Sequence, residues 1–235
     1  GLWKGVNGDW MPLTEDFPAL SMGDLAFYPG NPDRIFLATG DPQISSFPRI
    51  GKGVYRSLDG GENWENMGLD SMGIISKLLF VPGAEDGAPV LFAGAMGNPA
   101  QPNDYRGLFR SEDAGISWSQ VLLPDDSAGV TDLLYDPDTE AVYAAAWQRT
   151  RNSTGSDVWG PHCRIWKSND AGLNWQALPN PWGEGSRGRI GLALSPQGLY
   201  ALVVGQDSQL DNLYRSTDGG ENWGAVIPEE NIPEN

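Results

Sequence analysis

Short apolar runs, each bounded by clusters of Gly, Pro, Asp and Asn, follow one another along the chain. "GDLAFYP" turns at "GNPD" into "RIFLATG", and "SKLLFVP" turns at "GAEDGA" into "PVLFAGA"; "TDLLYDP" precedes "AVYAAAW", and "RIGLALSP" precedes "GLYALVVG". Runs this short and rich in Val, Leu, Tyr and Phe predict β-strands rather than helices. A longer polar loop follows each pair, and then a recurring phrase: "YRSLDGGENW" (55–64), "FRSEDAGISW" (109–118), "WKSNDAGLNW" (166–175) and "YRSTDGGENW" (214–223). These share Ser-x-Asp-x-Gly-x-x-Trp and return about every fifty residues. A degenerate copy, "LWKGVNGDW" at 2–10, lacks the Ser and the Asp.

Each phrase predicts a hairpin, with segments such as "GVYRS" as a third strand and the Trp opening a fourth. Four antiparallel strands repeated at this period predict an all-β fold, a β-propeller of four-stranded blades. The expected division is 1–13 for the last two strands of an incomplete blade, then blades at 14–68, 69–124, 125–180 and 181–228, with a tail at 229–235. About four and a half blades leave the first without its inner strands, so the expectation is a piece of a larger propeller. In the repeated hairpin the Asp carboxylate can accept loop N–H groups, the Gly supplies positive φ, and the Trp fills the gap between blades. That makes Ser57, Asp59, Gly61 and Trp64, and likewise Ser111, Asp113, Gly115 and Trp118, structural. The same holds for Ser168, Asp170, Gly172 and Trp175, and for Ser216, Asp218, Gly220 and Trp223.

Composition narrows the partners. Asp and Glu number 31 against 15 Lys and Arg, a formal charge of -16 that repels nucleic acid and anionic membranes. The chain contains neither an apolar run long enough to span a membrane nor a leader-like N-terminus. Cys163 is the sole cysteine, so no internal disulfide forms and, with His162 the sole histidine, a zinc site is excluded. Asp136, Asp138 and Glu140 in "YDPDTEA" could bind calcium, although a Pro/Asp turn accounts for them equally; no other cofactor is expected.

Strand alternation places the repeated hairpins on one face and the long loops between second and third strands on the other. Those loops are 40–52, 94–106, 148–164 and 205–211. Irregular loops gathered on one face of a rigid scaffold predict the binding surface. Its candidate residues are Asp41, Arg49, Asp104, Tyr105, Arg106, Arg149, Arg151 and Trp159, with Asp157 and His162 beside them. Trp147 and Trp166 lie in strands and are expected in the core.

The repeated phrases resemble Asp-box repeats, also called bacterial neuraminidase repeats, found in sialidases, sortilin-type receptors and several glycoside hydrolases. Over nearly the whole chain, "GLWKGVNGDWMPLTEDFPALSMGDLAFYPGNPDRIFLATGD", "AAAWQRTR" and "RGRIGLALSPQGLYALV" resemble large secreted bacterial sortilin-like or BNR-repeat proteins, many with a type IX sorting tail. The resemblance implies a secreted or cell-surface protein whose partners are the remainder of its own longer chain and a protein or a glycan. A sialidase needs an arginine cluster, which Arg49, Arg106 and Arg151 could supply, but "FPRI" at 47–50 scrambles that family's order and no Tyr–Glu pair is evident. "WMPLTEDFPAL" and "RIFLATG" resemble xyloglucan-active hydrolases. In that family the catalytic aspartate sits in an Arg-Thr-Asp-x-Gly-Gly segment upstream of the position of "GLWKG", which implies that it precedes residue 1. Asp41 and Asp104 are the loop acids to inspect for catalysis. The expected function of this segment is therefore non-catalytic binding of a protein or glycan, and the alternative is the N-terminal part of a glycoside hydrolase.

Overall fold

The computed structural model describes residues 1–83, 87–206 and 208–232. Twenty strands form the described core. A hairpin of β1 (Trp3–Val6) and β2 (Asp9–Pro12) precedes a first four-stranded antiparallel sheet: β3 (Met22–Tyr28), β4 (Asn31–Thr39), β5 (Val54–Ser57) and β6 (Glu65–Asn66). The second sheet holds β7 (Ile74–Val81), β8 (Val90–Gly97), β9 (Gly107–Ser111) and β10 (Ser119–Leu122). The third holds β11 (Ala128–Asp136) and β12 (Ala141–Gln148), then β13 (Thr150–Arg151) and β14 (Ser156–Asp157) as a separate small hairpin, then β15 (Ile165–Ser168) and β16 (Gln176–Ala177). The fourth holds β17 (Ile190–Ser195), β18 (Gly198–Val204), β19 (Leu210–Ser216) and β20 (Gly224–Ala225). Within each sheet the strands lie in sequence order, as propeller blades require.

Two departures from the sequence reading stand out. The 148–164 loop is not wholly irregular, since Thr150 pairs with Asp157 and Arg151 with Ser156. The outermost strands of three blades are only two residues long, because an outer strand has one neighbour and little apolar surface to bury. The turn at "GAEDGA" lies partly outside the described residues.

Strand burial follows position within the blade. The second strands β8 and β12 are buried almost throughout, which explains why "VLFAGAMG" and "AVYAAAW" read as continuous apolar runs without alternation. The innermost strands are stitched to one another by side chains at matching positions. Asp24 accepts a hydrogen bond from the Leu78 backbone N–H at 2.9 Å, and Asp132 accepts one from Leu192 at 2.8 Å. Between them Ser76 Oγ donates to the Val130 carbonyl at 2.5 Å.

The repeated phrase folds into the same corner four times. Ser57 Oγ donates to Asp59 at 2.8 Å and accepts from Gly61 N–H at 2.8 Å, while the Asp59 carboxylate receives the backbone N–H of Asn63 at 2.9 Å and its side-chain amide at 2.8 Å. Asp170 with Asn174, and Asp218 with Asn222, repeat this arrangement; Asp113 does so with the backbone and hydroxyl of Ser117. These donors hold the Asp59, Asp170 and Asp218 carboxyls down at about 2. At Asp113, burial pushes upward but the bonds from Ser117 and Ser111 outweigh it and the net shift is downward.

Every corner carries two consecutive left-handed residues: Gly60–Gly61, Ala114–Gly115, Ala171–Gly172 and Gly219–Gly220. The second must be glycine for a further reason. A Cβ on Gly172 would lie 2.3 Å from the Phe92 ring, and one on Gly61 would lie 2.6 Å from Leu13. The degenerate copy keeps a left-handed pair, Asn7–Gly8, in a shorter turn.

Left-handed geometry strains any residue with a Cβ, so Ala171→Gly is expected to stabilise the fold by about 0.5–1 kcal/mol and Gly219→Ala to weaken it by a similar amount, read from urea denaturation midpoints. The depressed carboxyls add a pH dependence. Their contribution is complete above the unfolded aspartate pKa of about 4 and is lost as the pH falls through about 2. Stability should therefore be flat with respect to these groups above about pH 5 and drop between about pH 4 and 2, and Asp170→Asn should make that drop shallower.

Candidate functional site

The corners and the long loops occupy opposite faces. Gly60 N–H donates to Asp33 O at 2.9 Å, tying a corner to the turn between β3 and β4. On the other side the loops bond to each other: Arg151 N–H reaches Pro99 O at 2.7 Å, and Asn103 N–H reaches Asp126 O at 2.8 Å.

Buried arginines hold this loop face together. Arg106 is 0% exposed and donates to the carbonyls of Ser127 at 2.9 Å and Arg149 at 3.0 Å, with longer bonds to Asn98 and Gln101. Burial lowers its pKa to about 10, which leaves it charged at neutral pH. Arg149, also buried, donates to Thr150 O, Ser156 Oγ and Asp157 O, which fixes the β13–β14 hairpin, and to Ile44 O at 3.2 Å. The sequence makes both of them candidates for the binding face. Instead, loop carbonyls that no strand satisfies draw the guanidinium groups inward, where several donors in one plane serve several acceptors.

Ile44 marks a second device. It sits 2% exposed in the core cluster of Met96, Trp147 and Ile190, with φ at 48°. A β-branched residue in the left-handed region is strained, and its burial in this cluster holds it there. Arg189 Nη1 donates to Gln43 Oε1 at 2.7 Å, and the guanidinium groups of Arg149 and Arg189 each lie 5.5 Å from the Trp147 ring centre. The loop of the first blade thus crosses to the third and fourth blades, and Trp147 is the core residue on which it rests.

With its first half pinned, the second half of that loop is left outside. Phe47 is 83% exposed, and Arg49 and Ile50 are exposed beside it. Pro48, Arg49 and Ile50 face Pro18, Ala19, Leu20 and Ser21 across an open groove of about 700 Å³. Tyr105 and Trp159, at 50% and 43% exposure, add aromatic surface to the same face, and Asp104 is exposed next to Tyr105. Arg151 is half-buried. Sequence reasoning missed Phe47, Ile50 and Leu20; the available signal was an apolar residue beside Pro within a loop, as in "FPRI" and "FPAL".

The acids of this face are largely committed. Asp41 accepts the N–H groups of Gln43 at 3.1 Å and Ser45 at 3.0 Å; burial pushes its carboxyl upward, and the bonds from Ser45, Gln43 and Ile44 bring it below the ordinary range. It shapes its own turn. Asp125, another residue not anticipated, accepts from Ser127 and lies 3.5 Å from His162 Nε2. Cys163 points the other way into the core, where burial raises its thiol to about 11. Asp136 caps its own turn through Asp138 N–H at 3.0 Å and Thr139 Oγ1 at 2.6 Å, and among the described residues no cluster of three His, Cys, Asp or Glu could hold a metal.

No protein-family model matches the chain. It is 28% identical over 240 residues to a xyloglucanase of a Paenibacillus species, covering 95% of this chain and 18% of that protein. A xyloglucanase of Acetivibrio thermocellus is 26% identical over 209 residues, covering 75% of this chain and 22% of that one. The chain thus spans about a fifth of the length of these curated relatives. Among solved structures, the GH74 xyloglucanase of Xanthomonas campestris aligns with a TM-score of 0.60 at 21% identity, over 87% of this chain and 30% of the other. That likeness shows the propeller fold. The relatives favour the glycoside-hydrolase alternative over the non-catalytic module expected first.

Removal of the Arg106 guanidinium strands several buried carbonyls at once, so Arg106→Met is expected to cost about 2–4 kcal/mol in chemical denaturation. Tyr105→Ala next to it is a surface change and should stay within about 0.5 kcal/mol of the parent.

Proposed function

We propose that this segment is part of a secreted or cell-surface glycoside-hydrolase-like protein directed at xyloglucan, that its repeated corners are Asp boxes, and that its loop face binds the polysaccharide. The similarity to a xyloglucanase along 95% of the chain carries the reading. The loop face supports it chemically. Phe47, Tyr105 and Trp159 offer aromatic surface to sugar rings, and Arg49 and Asp104 offer hydrogen bonds to hydroxyls.

Glycoside hydrolysis needs an acid and a second carboxylate across the scissile bond. Asp41 is consumed in its turn and Asp125 by Ser127 and His162, which leaves two exposed acids in the long loops, Asp104 and, near the Arg149 guanidinium, Asp157. The segment's role in this reading is to position the polymer, while cleavage belongs to the whole protein.

Incubation of the whole protein with xyloglucan, and separately with unbranched β-glucan and sialylated glycans, tests the reading by reducing-end release and by retention on immobilised polymer. Release from xyloglucan supports it. Retention without release means a binding module instead, and the absence of both release and retention on xyloglucan overturns the polysaccharide reading. Phe47→Ala combined with Trp159→Ala should weaken xyloglucan retention about five-fold or more, with an unchanged unfolding midpoint.

A further inference from the structure

We propose that the outward face of the fourth blade is a socket for the left-handed corner of a further blade of the same polypeptide, with Arg215 donating to that corner's carbonyl.

The junctions inside the chain supply the argument, because they draw on one set of parts, all of which meet at the junction of third and fourth blades. The earlier unit contributes an aromatic on its second strand, a basic residue opposite it on the third, and an apolar residue three positions after the corner Trp. The later unit contributes its corner. The aromatic and basic residues hold one register throughout: Phe36 opposite Arg56, Phe92 opposite Arg110, Tyr143 opposite Lys167 and Tyr200 opposite Arg215.

Three basic residues reach the first left-handed residue of the next corner. Lys4 Nζ donates to Gly60 O at 3.2 Å, Arg110 Nε to Ala171 O at 2.8 Å and Lys167 Nζ to Gly219 O at 3.2 Å. At the junction of first and second blades, Arg56 pairs with Glu65 instead, and the bond across the junction runs from Trp118 Nε1 to Met67 O at 2.8 Å. Phe36, Phe92 and Tyr143 are at most 1% exposed, the first two packed toward Gly115 and Gly172 and the third donating through its hydroxyl to Gly219 O at 3.3 Å. Leu13, Met67 and Leu178 close over Gly61, Gly115 and Gly220.

The fourth blade presents the same set to solvent. Arg215 is exposed, Tyr200 is half-buried, and Val226 stands at 44% exposure in the place of Leu13, Met67 and Leu178. Leu202 is 48% exposed at the position where Ala38 and Ala145 are 0% exposed. A groove of about 420 Å³ runs along Arg215, Trp223 and Val226. A second copy of this chain fits poorly as the occupant. Its Gly60, Ala171 and Gly219 carbonyls already accept bonds and its Gly115 is already packed, so the turn it has left is Asn7–Gly8, which lacks the Ser and Asp. Assignment to the same polypeptide rests on the proposed-function reading, through the greater length of the relatives.

Hydroxyl-radical footprinting of the whole polypeptide tests the socket without any activity readout. Tyr200 and Val226 should label as weakly as Tyr143 and Leu178, and at least about five-fold less than the exposed Ile116 and Leu173. Labelling at the level of Ile116 overturns the proposal. Protection that fades on dilution, with a mass above the monomer in sedimentation, assigns the face to a second copy and overturns it too. Arg215→Ala should raise labelling of Val226 about three-fold, and Arg215→Lys should restore the parent level because Lys4 and Lys167 already make this bond elsewhere. Unchanged labelling in Arg215→Ala removes Arg215 from the junction.

Discussion

A hairpin that reverses direction within a few residues leaves backbone N–H groups with no strand to receive them, and an unpaired N–H costs most where neighbouring sheets exclude water. In this protein a single carboxylate answers that constraint in each blade. It gathers the N–H groups of its own loop and accepts the hydroxyl of the preceding serine, and the serine in turn takes the glycine N–H. The resulting turn is held by its own groups. Because it needs little support from outside, its left-handed glycine is free to lie flat against the preceding blade, where an aromatic ring or a leucine packs in the space a Cβ would fill. Blade folding and blade stacking thus depend on one local structure.

The opposite face obeys the same rule by other means. Its loops are long and lack the serine–aspartate pair, so their carbonyls are satisfied by side chains from a distance. Arg106 and Arg149 do this from beneath, and Arg149 together with Arg189 ties the loop of the first blade to the third and fourth. The cost of burying guanidinium groups is offset by multiple charged hydrogen bonds in fixed geometry. A loop anchored at Ile44 and free at Phe47 offers an apolar and aromatic edge in a defined place, and the proposed binding of a polysaccharide rests on that edge.

The arginines that would serve an anion-binding site are mostly spent on architecture. Three arginines in loops of one face suggest carboxylate recognition, yet Arg106 makes its bonds to backbone, Arg151 is half-buried and Arg49 alone of the three is exposed. The site is therefore defined more by exposed carbon than by charge. Phe47, Tyr105 and Trp159 come from three different blades, and the rigid junctions between blades are what fix their relative positions.

The chain's own order of residues determined the blades, the corners and the separation of faces, because these depend on contacts within about a dozen residues: strand alternation, turn-forming glycines and a carboxylate two positions after a serine. Trp147 was also legible as a core residue, since it ends an apolar run. Tertiary structure alone decided which loop side chains face solvent. Ile44 and Arg149 meet across 105 positions of sequence, and Gln43 and Arg189 across 146, so nothing in the local pattern distinguishes the arginine that turns inward from the one that stays out. Periodicity reports the surface a strand buries within its own sheet, whereas the fate of a loop side chain depends on where unsatisfied carbonyls of other blades happen to lie, and that is settled only when the blades have assembled around their axis.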